Sequence, residues 1–119
     1  MSFFELLDGL LNVLDLPHFE GSPEFEDGMP EVFITYSVDD NPVHWGCGRE
    51  VATRYAVTFS IYTTGADKAA NAENISTALD TILTGNGFSR ISGNYGFSDE
   101  FPNYYRKIAD YCYIKIKEK

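Results

Sequence analysis

A histidine and a cysteine three positions apart are the residues in this sequence whose types come nearest to a reactive site. His44 and Cys47 share one short segment, and the distant His18 could supply a further nitrogen ligand. Imidazole and thiolate groups bind zinc, but structural zinc sites normally use four ligands in two close pairs. Only one such pair exists here. The sequence therefore favours a loop histidine and a free thiol, and we expect no bound metal.

The same residues could form a nucleophile and its base, and two neighbouring acids could take part in acid–base catalysis. A catalytic cysteine needs a base that a third group orients, and no motif around Cys47 supplies one. Asp39 and Asp40 lie in a predicted turn that ends at Pro42, where adjacent acids usually point apart and cap the turn. No phosphate-binding loop or dinucleotide fingerprint is present. The sequence therefore predicts no catalytic site and no cofactor.

Two helices and four strands are predicted to position these residues. Ser2 and Glu5 form a capping box ahead of an apolar stripe, Pro17 ends this first helix, and a second helix spans about 67–84. Alternation of apolar residues predicts strands at 31–38, 49–64, 88–91 and 104–117. We expect a single α+β domain in the order α-β-β-α-β-β. Its sheet would be four-stranded and mainly antiparallel, with both helices packed on one face.

The periodicity also predicts which side chains face the core. In the strand at 49–64, Val57, Phe59 and Ile61 share the core face. The predicted inner stripe of the second helix is Ala72, Ile75, Ala78, Leu79 and Ile82. In the last strand the inward residues are Ile108, Cys112, Ile114 and Ile116, and the outward ones are Ala109, Tyr111, Tyr113 and Lys115. Residues 18–30 are predicted to form a mobile, acidic loop.

The charge balance limits the classes of partner. The chain has a formal net charge of −9 and only nine basic residues, which are mostly scattered, so we expect no specific binding of nucleic acid. An acidic surface is compatible with letting DNA pass without sticking, with imitating DNA, or with plain solubility. The apolar run at 3–16 is too short and too charged to span a bilayer, so we expect a soluble, cytosolic protein without a membrane partner.

Aromatic and charged residues outside the predicted core are candidates for contact with other proteins. The chain contains eight tyrosines, which are typical of interfaces but also of strand faces. Trp45 is either a plug at one end of the core or an exposed anchor, and Arg49 and Arg54 either meet acids of a neighbouring chain or are solvated. The candidate interface residues are Glu24, Glu26, Asp27, Asp39, Asp40, Trp45, Arg49, Arg54, Tyr111 and Tyr113.

The order of these parts resembles the tail terminator (tail completion) proteins of long-tailed bacteriophages and prophages, the lambda type among them. The resemblance covers nearly the whole chain as loose patterns of residue class. It rests on the apolar first helix and on five further segments. These are Phe33-Ile34-Thr35-Tyr36, the strand running through Val57 to Gly65, Leu83-Thr84-Gly85-Asn86-Gly87-Phe88, Asp99-Glu100-Phe101, and Tyr104-Tyr105-Arg106-Lys107-Ile108.

This resemblance implies a structural protein without enzymatic activity or cofactor. Its copies would form a homohexameric ring that stops polymerisation of the tail tube and presents the tail to the head connector. The implied partners are further copies of the chain, the tail tube protein and the connector protein. The implied location is the virion tail or neck, after assembly in the host cytoplasm.

Three other readings of the sequence stay open. Another phage neck component, such as a head-closure or minor capsid protein, would share this size and mixed topology. A DNA-mimicking inhibitor would need carboxylates arrayed on one face, whereas the acids here are spread over several loops. A small enzyme would have to rely on His44 and Cys47.

Overall fold

The computed structural model of the chain describes residues 2–23, 25, 28–45, 49–97, 101 and 103–116, and it describes no side chains for 44, 45, 49–51 and 94–97. This part of the chain contains two helices and five strands. They are α1 Phe3–Val13, β1 His18–Glu20, β2 Val32–Trp45, β3 Arg49–Thr63, α2 Lys68–Thr84, β4 Ser89–Phe97 and β5 Tyr105–Ile116. The strands form one sheet in the order β1-β2-β3-β5-β4. The predicted α+β class with two helices is confirmed.

The sheet has a short parallel strand that the sequence prediction missed. β1 lies in the segment predicted to be a loop, and His18–Glu20 pairs with Ile34–Tyr36 of β2. The Ile34 amide donates to the Pro17 carbonyl at 2.9 Å, and the Gly21 amide donates to the Tyr36 carbonyl at 2.8 Å. Three residues are too few to show alternation, so only the neighbouring strand reveals this pairing. The sheet is therefore mixed and five-stranded in the described residues, and the predicted four-stranded sheet was wrong.

Two strands run further than their sequences predicted. The predicted turn at 39–42 lies inside β2, where Asp39 pairs with Ala56 and Pro42 pairs with Thr53. β4 likewise continues through Gly93 and Gly96 because β5 supplies an antiparallel partner along its length. Turn-forming residues thus remain extended where a long neighbouring strand provides the hydrogen bonds.

Both helices pack on one face of the sheet, as predicted. The capping box of α1 is confirmed: the Glu5 amide donates to Ser2 Oγ at 3.1 Å, and the Ser2 amide donates to Glu5 Oε1 at 3.4 Å. The buried residues are Phe3, Leu7 and Leu11 of α1 and Ala72, Ser76, Leu79 and Leu83 of α2. The predicted stripe of α2 was partly wrong, since Ala78 is exposed and Ile75 and Ile82 are only half-buried.

The main core lies between the helices and the three longest strands. The alternation of β3 is confirmed because Val57, Phe59 and Ile61 are fully buried. Ile34 and Tyr36 of β2 and Ala109 and Tyr111 of β5 are the neighbouring core residues on this face.

The predicted faces of β5 are reversed in the structure. Ala109 and Tyr111 are 0 % exposed, whereas Ile114 and Ile116 are 55 % and 74 % exposed. Ala109 pairs with Phe59, and Tyr111 pairs with Val57, so both point toward the helices. Alternation could not decide the choice because both faces of β5 carry apolar residues. The contact of β5 with α2 decided it, since the Tyr111 hydroxyl donates to Asp80 Oδ1 at 2.7 Å.

The tyrosine that contacts α2 makes folding sensitive to alkaline pH. Burial, then the Asp80 hydrogen bond and charge, raise the pKa of the Tyr111 hydroxyl above its ordinary range, and Arg90 opposes this shift. Burial, with smaller contributions from Glu20 and Asp8, also raises the pKa of Tyr36. A raised pKa in the folded state means that the neutral phenol favours folding. This stability is fully present below the unfolded pKa of about 10 and is lost as the pH rises through the folded value.

Tyr111→Phe is therefore expected to have two effects. The free energy of unfolding falls by about 1–2 kcal/mol at pH 7, because Asp80 loses its hydrogen-bond donor. The decline of stability above pH 10 becomes shallower, because one titrating group has been removed. Urea denaturation at a series of pH values measures both. Tyr55→Phe is the matched control, and a variant whose alkaline decline equals that of the wild type would contradict the assignment.

A second polar contact joins α2 to β5. Lys107 Nζ donates to Glu73 Oε1 at 2.8 Å, with side-chain exposures of 9 % and 56 %. Removal of the carboxylate leaves a nearly buried ammonium without this partner, whereas methionine in place of Lys107 keeps the apolar stem packed.

Glu73→Ala is expected to lower the free energy of unfolding by about 1.5–3 kcal/mol, and Lys107→Met by less. In the double variant the Glu73 substitution should add little to the effect of Lys107→Met, because the buried charge is no longer there. Chemical denaturation of all four proteins checks this cycle, with Asn74→Ala as an exposed control on the same helix. Equal losses for the two single variants would contradict the argument.

A second cluster of aromatic rings lies on the sheet face opposite the helices. Phe33, Tyr62 and Tyr104 are buried there, with Phe19, Phe25 and Phe101 packed around them. The Phe25 ring meets Phe33 edge-on at 5.1 Å, and the Tyr104 hydroxyl donates to the Pro30 carbonyl at 2.7 Å. Two segments between the regular elements therefore cover one end of this face. We call this group of six residues the aromatic cluster.

Candidate interaction surface

Beyond the aromatic cluster, the face of the sheet opposite the helices has no described helix on it. Phe3 stacks on Tyr55 at 4.0 Å, and α2 contacts Lys107 and Tyr111, so both helices occupy the other side. Strand register assigns the residues of this surface, which we call the open face. They are Thr35, Ser37, Asp39 and Asn41 of β2, Ala52, Arg54, Ala56, Thr58 and Ser60 of β3, and Ile108, Asp110, Cys112, Ile114 and Ile116 of β5.

Hydrogen bonds across strands order the middle of the open face. The Asp110 carboxylate accepts from Thr58 Oγ1 at 2.7 Å and from Ser92 Oγ at 2.6 Å, which joins β3, β5 and β4. The Arg106 guanidinium donates to Ser60 Oγ at 3.3 Å and lies 5.8 Å from the centre of the Tyr62 ring. These polar side chains are already satisfied within the chain. The small residues around them leave this part of the surface shallow and ordered.

The far end of the sheet extends past both helices. Tyr55 and Tyr113 pair in the row that Phe3 covers, and β2, β3 and β5 continue beyond that row. We call residues 41–45, 49–54 and 114–116 the projection. Six residues of β3 at about 3.3 Å each extend it by about 20 Å, consistent with molecular dimensions of 55 × 28 × 25 Å. Ile114 and Ile116 are exposed on the open side of the projection.

The free edge of β2 carries features that oppose pairing with another strand. Backbone groups alternate in direction along a strand, and those of Ile34 and Tyr36 point toward β1. By the same alternation Asp40 and Pro42 point outward, beyond the end of β1. Proline has no amide hydrogen to donate there, and a charged residue disfavours an added strand. The segment predicted to be a turn thus protects a sheet edge.

The structure brings two of the predicted interface residues to one surface. Asp39 and Arg54 are both exposed on the open face, in adjacent rows. Asp40 is exposed on the helix side of β2. Trp45 and Arg49 pair at the end of the β2–β3 hairpin, but their side chains lie outside the described residues. Glu24, Glu26 and Asp27 also lie outside them.

Tyr111 and Tyr113 were predicted to face outward, and this was wrong. Tyr111 is fully buried in the main core. Tyr113 is half-buried, and its ring centre lies 4.8 Å from that of Phe88 and 5.6 Å from that of Phe3. The burial of both side chains follows from the reversed faces of β5, because the rings fill the space beneath the helices.

Sequence reasoning missed the isoleucines that the same reversal exposes. Ile114 and Ile116 were predicted to be core residues, yet they lie on the open side of the projection. One signal in the sequence could have indicated this: Asp110 shares their face, and an acid is unusual within a core stripe. Tyr111 and Tyr113, at alternate positions on the other face, concealed that signal.

The histidine predicted as a distant metal ligand makes contacts within the protein. His18 Nε2 lies 2.9 Å from Asp8 Oδ1, and His18 Nδ1 lies 3.1 Å from the Leu16 carbonyl oxygen. The side chains of His44 and Cys47 lie outside the described residues. Within the described residues, no three side chains of histidine, cysteine or acids are grouped as a metal site would require.

A shallow cleft of about 230 Å³ lies beside the N-terminal end of α1. Ser2, Phe3, Leu6, Tyr113 and Lys115 line it. Its wall is mainly apolar, with Lys115 at one side. In the part of the chain that the structure describes, neither helix has the length and apolarity needed to cross a membrane. A scan against protein families and a search of curated proteins both found no match to this chain.

Proposed function

We propose that this chain is a structural protein of a long-tailed bacteriophage or prophage, a tail terminator. Copies of the chain form a ring, with six subunits as the resemblance implies, at the end of the tail tube. The ring stops polymerisation of the tube and joins the tail to the head connector. Its place is the tail or neck of the virion, after assembly in the host cytoplasm.

The observation that carries this proposal is the open face and its projection. Ile114 and Ile116 are exposed next to Ala52 and Cys112 on a sheet surface that no described helix covers. Neighbouring exposed apolar residues on an ordered surface are typical of protein contact sites. A strand end without a packed layer is also marginal in water, and a partner that buries it would stabilise it.

The charge of the chain is compatible with a ring through which DNA moves. A net charge of −9 at pH 7 gives little attraction for phosphates, so DNA would pass without being held. The proposed partners are therefore proteins, namely other copies of this chain, the tail tube protein and the connector protein.

Tail length tests the proposal directly. We expect that a phage or prophage with this gene interrupted makes overlong tail tubes without attached heads, as electron microscopy would show. Supplying the gene from a plasmid is the control and should restore joined particles of normal length. Normal particles in the absence of the gene would contradict the proposal.

The mass of the purified protein tests the ring. Native mass spectrometry over a range of protein concentrations should reveal a closed oligomer of one size. A continuous series of sizes would instead indicate an open filament, which a terminator cannot form.

A further inference from the structure

One asparagine side chain closes the end of α2, in the turn that leads to β4. Asn86 Nδ2 donates to the Ile82 carbonyl oxygen at 2.7 Å. This carbonyl lies in the last turn of the helix, where carbonyl oxygens have no amide partner further along the helix. The backbone amides of Asn86 and Phe88 both donate to the Leu83 carbonyl oxygen at 3.0 Å. The Asn86 side chain therefore completes the hydrogen bonding of this turn.

The same asparagine is followed by a residue that can attack it. Asn86 is the one asparagine in the sequence that precedes a glycine. The backbone nitrogen of Gly87 can attack Cγ of Asn86, and glycine has no Cβ atom to obstruct the approach. Both residues are exposed, and the Gly87 amide makes a long contact of 3.5 Å with the Thr84 carbonyl oxygen. The turn thus combines a nucleophile, an electrophile and access to water.

We propose that Asn86 is a site of spontaneous deamidation, and that the reaction opens the end of α2 irreversibly. The Gly87 nitrogen gives its proton to water and forms a bond to Cγ of Asn86, which closes a cyclic imide. The bond from Cγ to Nδ2 breaks, and this nitrogen takes a proton from water and leaves as ammonia. Water then adds to one of the two imide carbonyls and opens the ring to aspartate or isoaspartate. No oxidant, reductant or cofactor is needed, and the inference is independent of the proposed function.

The hydrogen bond to Ile82 controls when the reaction begins. It holds the side-chain amide of Asn86 back against α2. The attack needs this amide to turn toward the Gly87 nitrogen, so the hydrogen bond breaks first. The deamidation rate is then set by how often the turn opens locally, and it is lower in the folded protein than in the unfolded chain.

The product of the reaction cannot close the turn again. An ionised carboxylate has acceptor atoms alone, so it repels the Ile82 carbonyl oxygen to which the amide donated. It also adds negative charge at the negative end of the helix dipole, and the last turn of α2 has no basic residue. The turn leads directly to Phe88, which is buried with its ring centre 4.8 Å from that of Tyr113. Opening the turn therefore loosens the contact of this segment with the core.

Peptide mass spectrometry of the aged protein tests the site. The protein is incubated at mildly alkaline pH, once in native buffer and once in urea, and digested at intervals. We expect Asn86 to convert to aspartate and isoaspartate in both samples, and faster in urea. Asn71 and Asn74 are the matched controls, because both are exposed on α2 but precede alanine and isoleucine. Conversion of either control before Asn86 would overturn the assignment, and equal rates for Asn86 in native buffer and urea would overturn the role of the Ile82 bond.

Two variants test the irreversible opening. Asn86→Asp is the recombinant form of one product, and Asn86→Ala removes the donor without adding charge. Thermal melting should give the highest midpoint for the wild type, a lower one for Asn86→Ala and the lowest for Asn86→Asp. Asn86 is exposed, so both variants should fold, with midpoints lowered by a few degrees. An Asn86→Asp protein that melts at or above the wild-type temperature would overturn the proposal that the product keeps the turn open.

Discussion

Phe33→Ala is expected to lower the free energy of unfolding by about 3–5 kcal/mol, although Phe33 lies on the sheet face on which no described helix packs. The Phe33 side chain is 0 % exposed, and its ring stacks on Tyr62 at 4.7 Å. Edge-on contacts with Phe25, Phe101 and Tyr104 lie between 5.1 and 5.6 Å. Truncation removes these contacts and leaves a cavity among the remaining rings. A loss of this size is a large part of the stability of a small domain.

Chemical denaturation followed by fluorescence measures this change. Phe4→Ala is the matched control, because Phe4 is exposed on α1 and should cost about 1 kcal/mol or less. A loss for Phe33→Ala as small as that of the control would show that the aromatic cluster is not packed in solution. The result bears on the acidic segment at 18–30, since Phe19 and Phe25 of this segment both belong to the aromatic cluster.

Phe59→Asp is expected to unfold the domain, whereas Ile114→Asp leaves it folded. Phe59 lies in the centre of the main core, with Tyr36 and Tyr111 beside it, so the substitution places an unpaired carboxylate among apolar side chains. Ile114 has an apolar side chain too, but more than half of it is in water. The sequence alone predicts that both substitutions are equally damaging, because it assigns both residues to the core.

Circular dichroism and thermal melting distinguish the two outcomes. Phe59→Asp should show no cooperative transition, and Ile114→Asp should melt within a few degrees of the wild type. An unfolded Ile114→Asp protein would mean that the faces of β5 are as the alternation predicted. The projection would then lose its apolar surface, and the proposed function would lose the observation that carries it.

The edge of β2 shows why turn residues can mislead. Asp39, Asp40, Asn41 and Pro42 are the residue types of a turn, and a short sequence window cannot distinguish a turn from a protected edge. In the structure these four residues pair with residues 53–56 of β3, in continuous antiparallel register. The alternation of apolar residues predicted the length of β3. It did not show that β2 pairs with β3 along that length.

The candidate interaction surface was only partly predictable for the same reason. Arg54 and Asp39 were identified by their charge, and the structure exposes both. Tyr111 was identified by its residue type alone, and its burial beside an acceptor on α2 reverses that expectation. Residue type predicts the chemistry of a side chain, but its exposure depends on what packs against the strand.

The sequence by itself determined the features of this protein that depend on nearby residues. The capping box of α1, the extent of α2 and the buried face of β3 follow from local hydrogen bonds and from the period of apolar residues. Only the tertiary structure decided the pairing of β1, the passage of β2 through Pro42 and the buried face of β5. Each of these depends on a partner distant in the chain. A strand obtains its hydrogen bonds from a neighbouring strand, and the buried face of β5 is the one that α2 contacts.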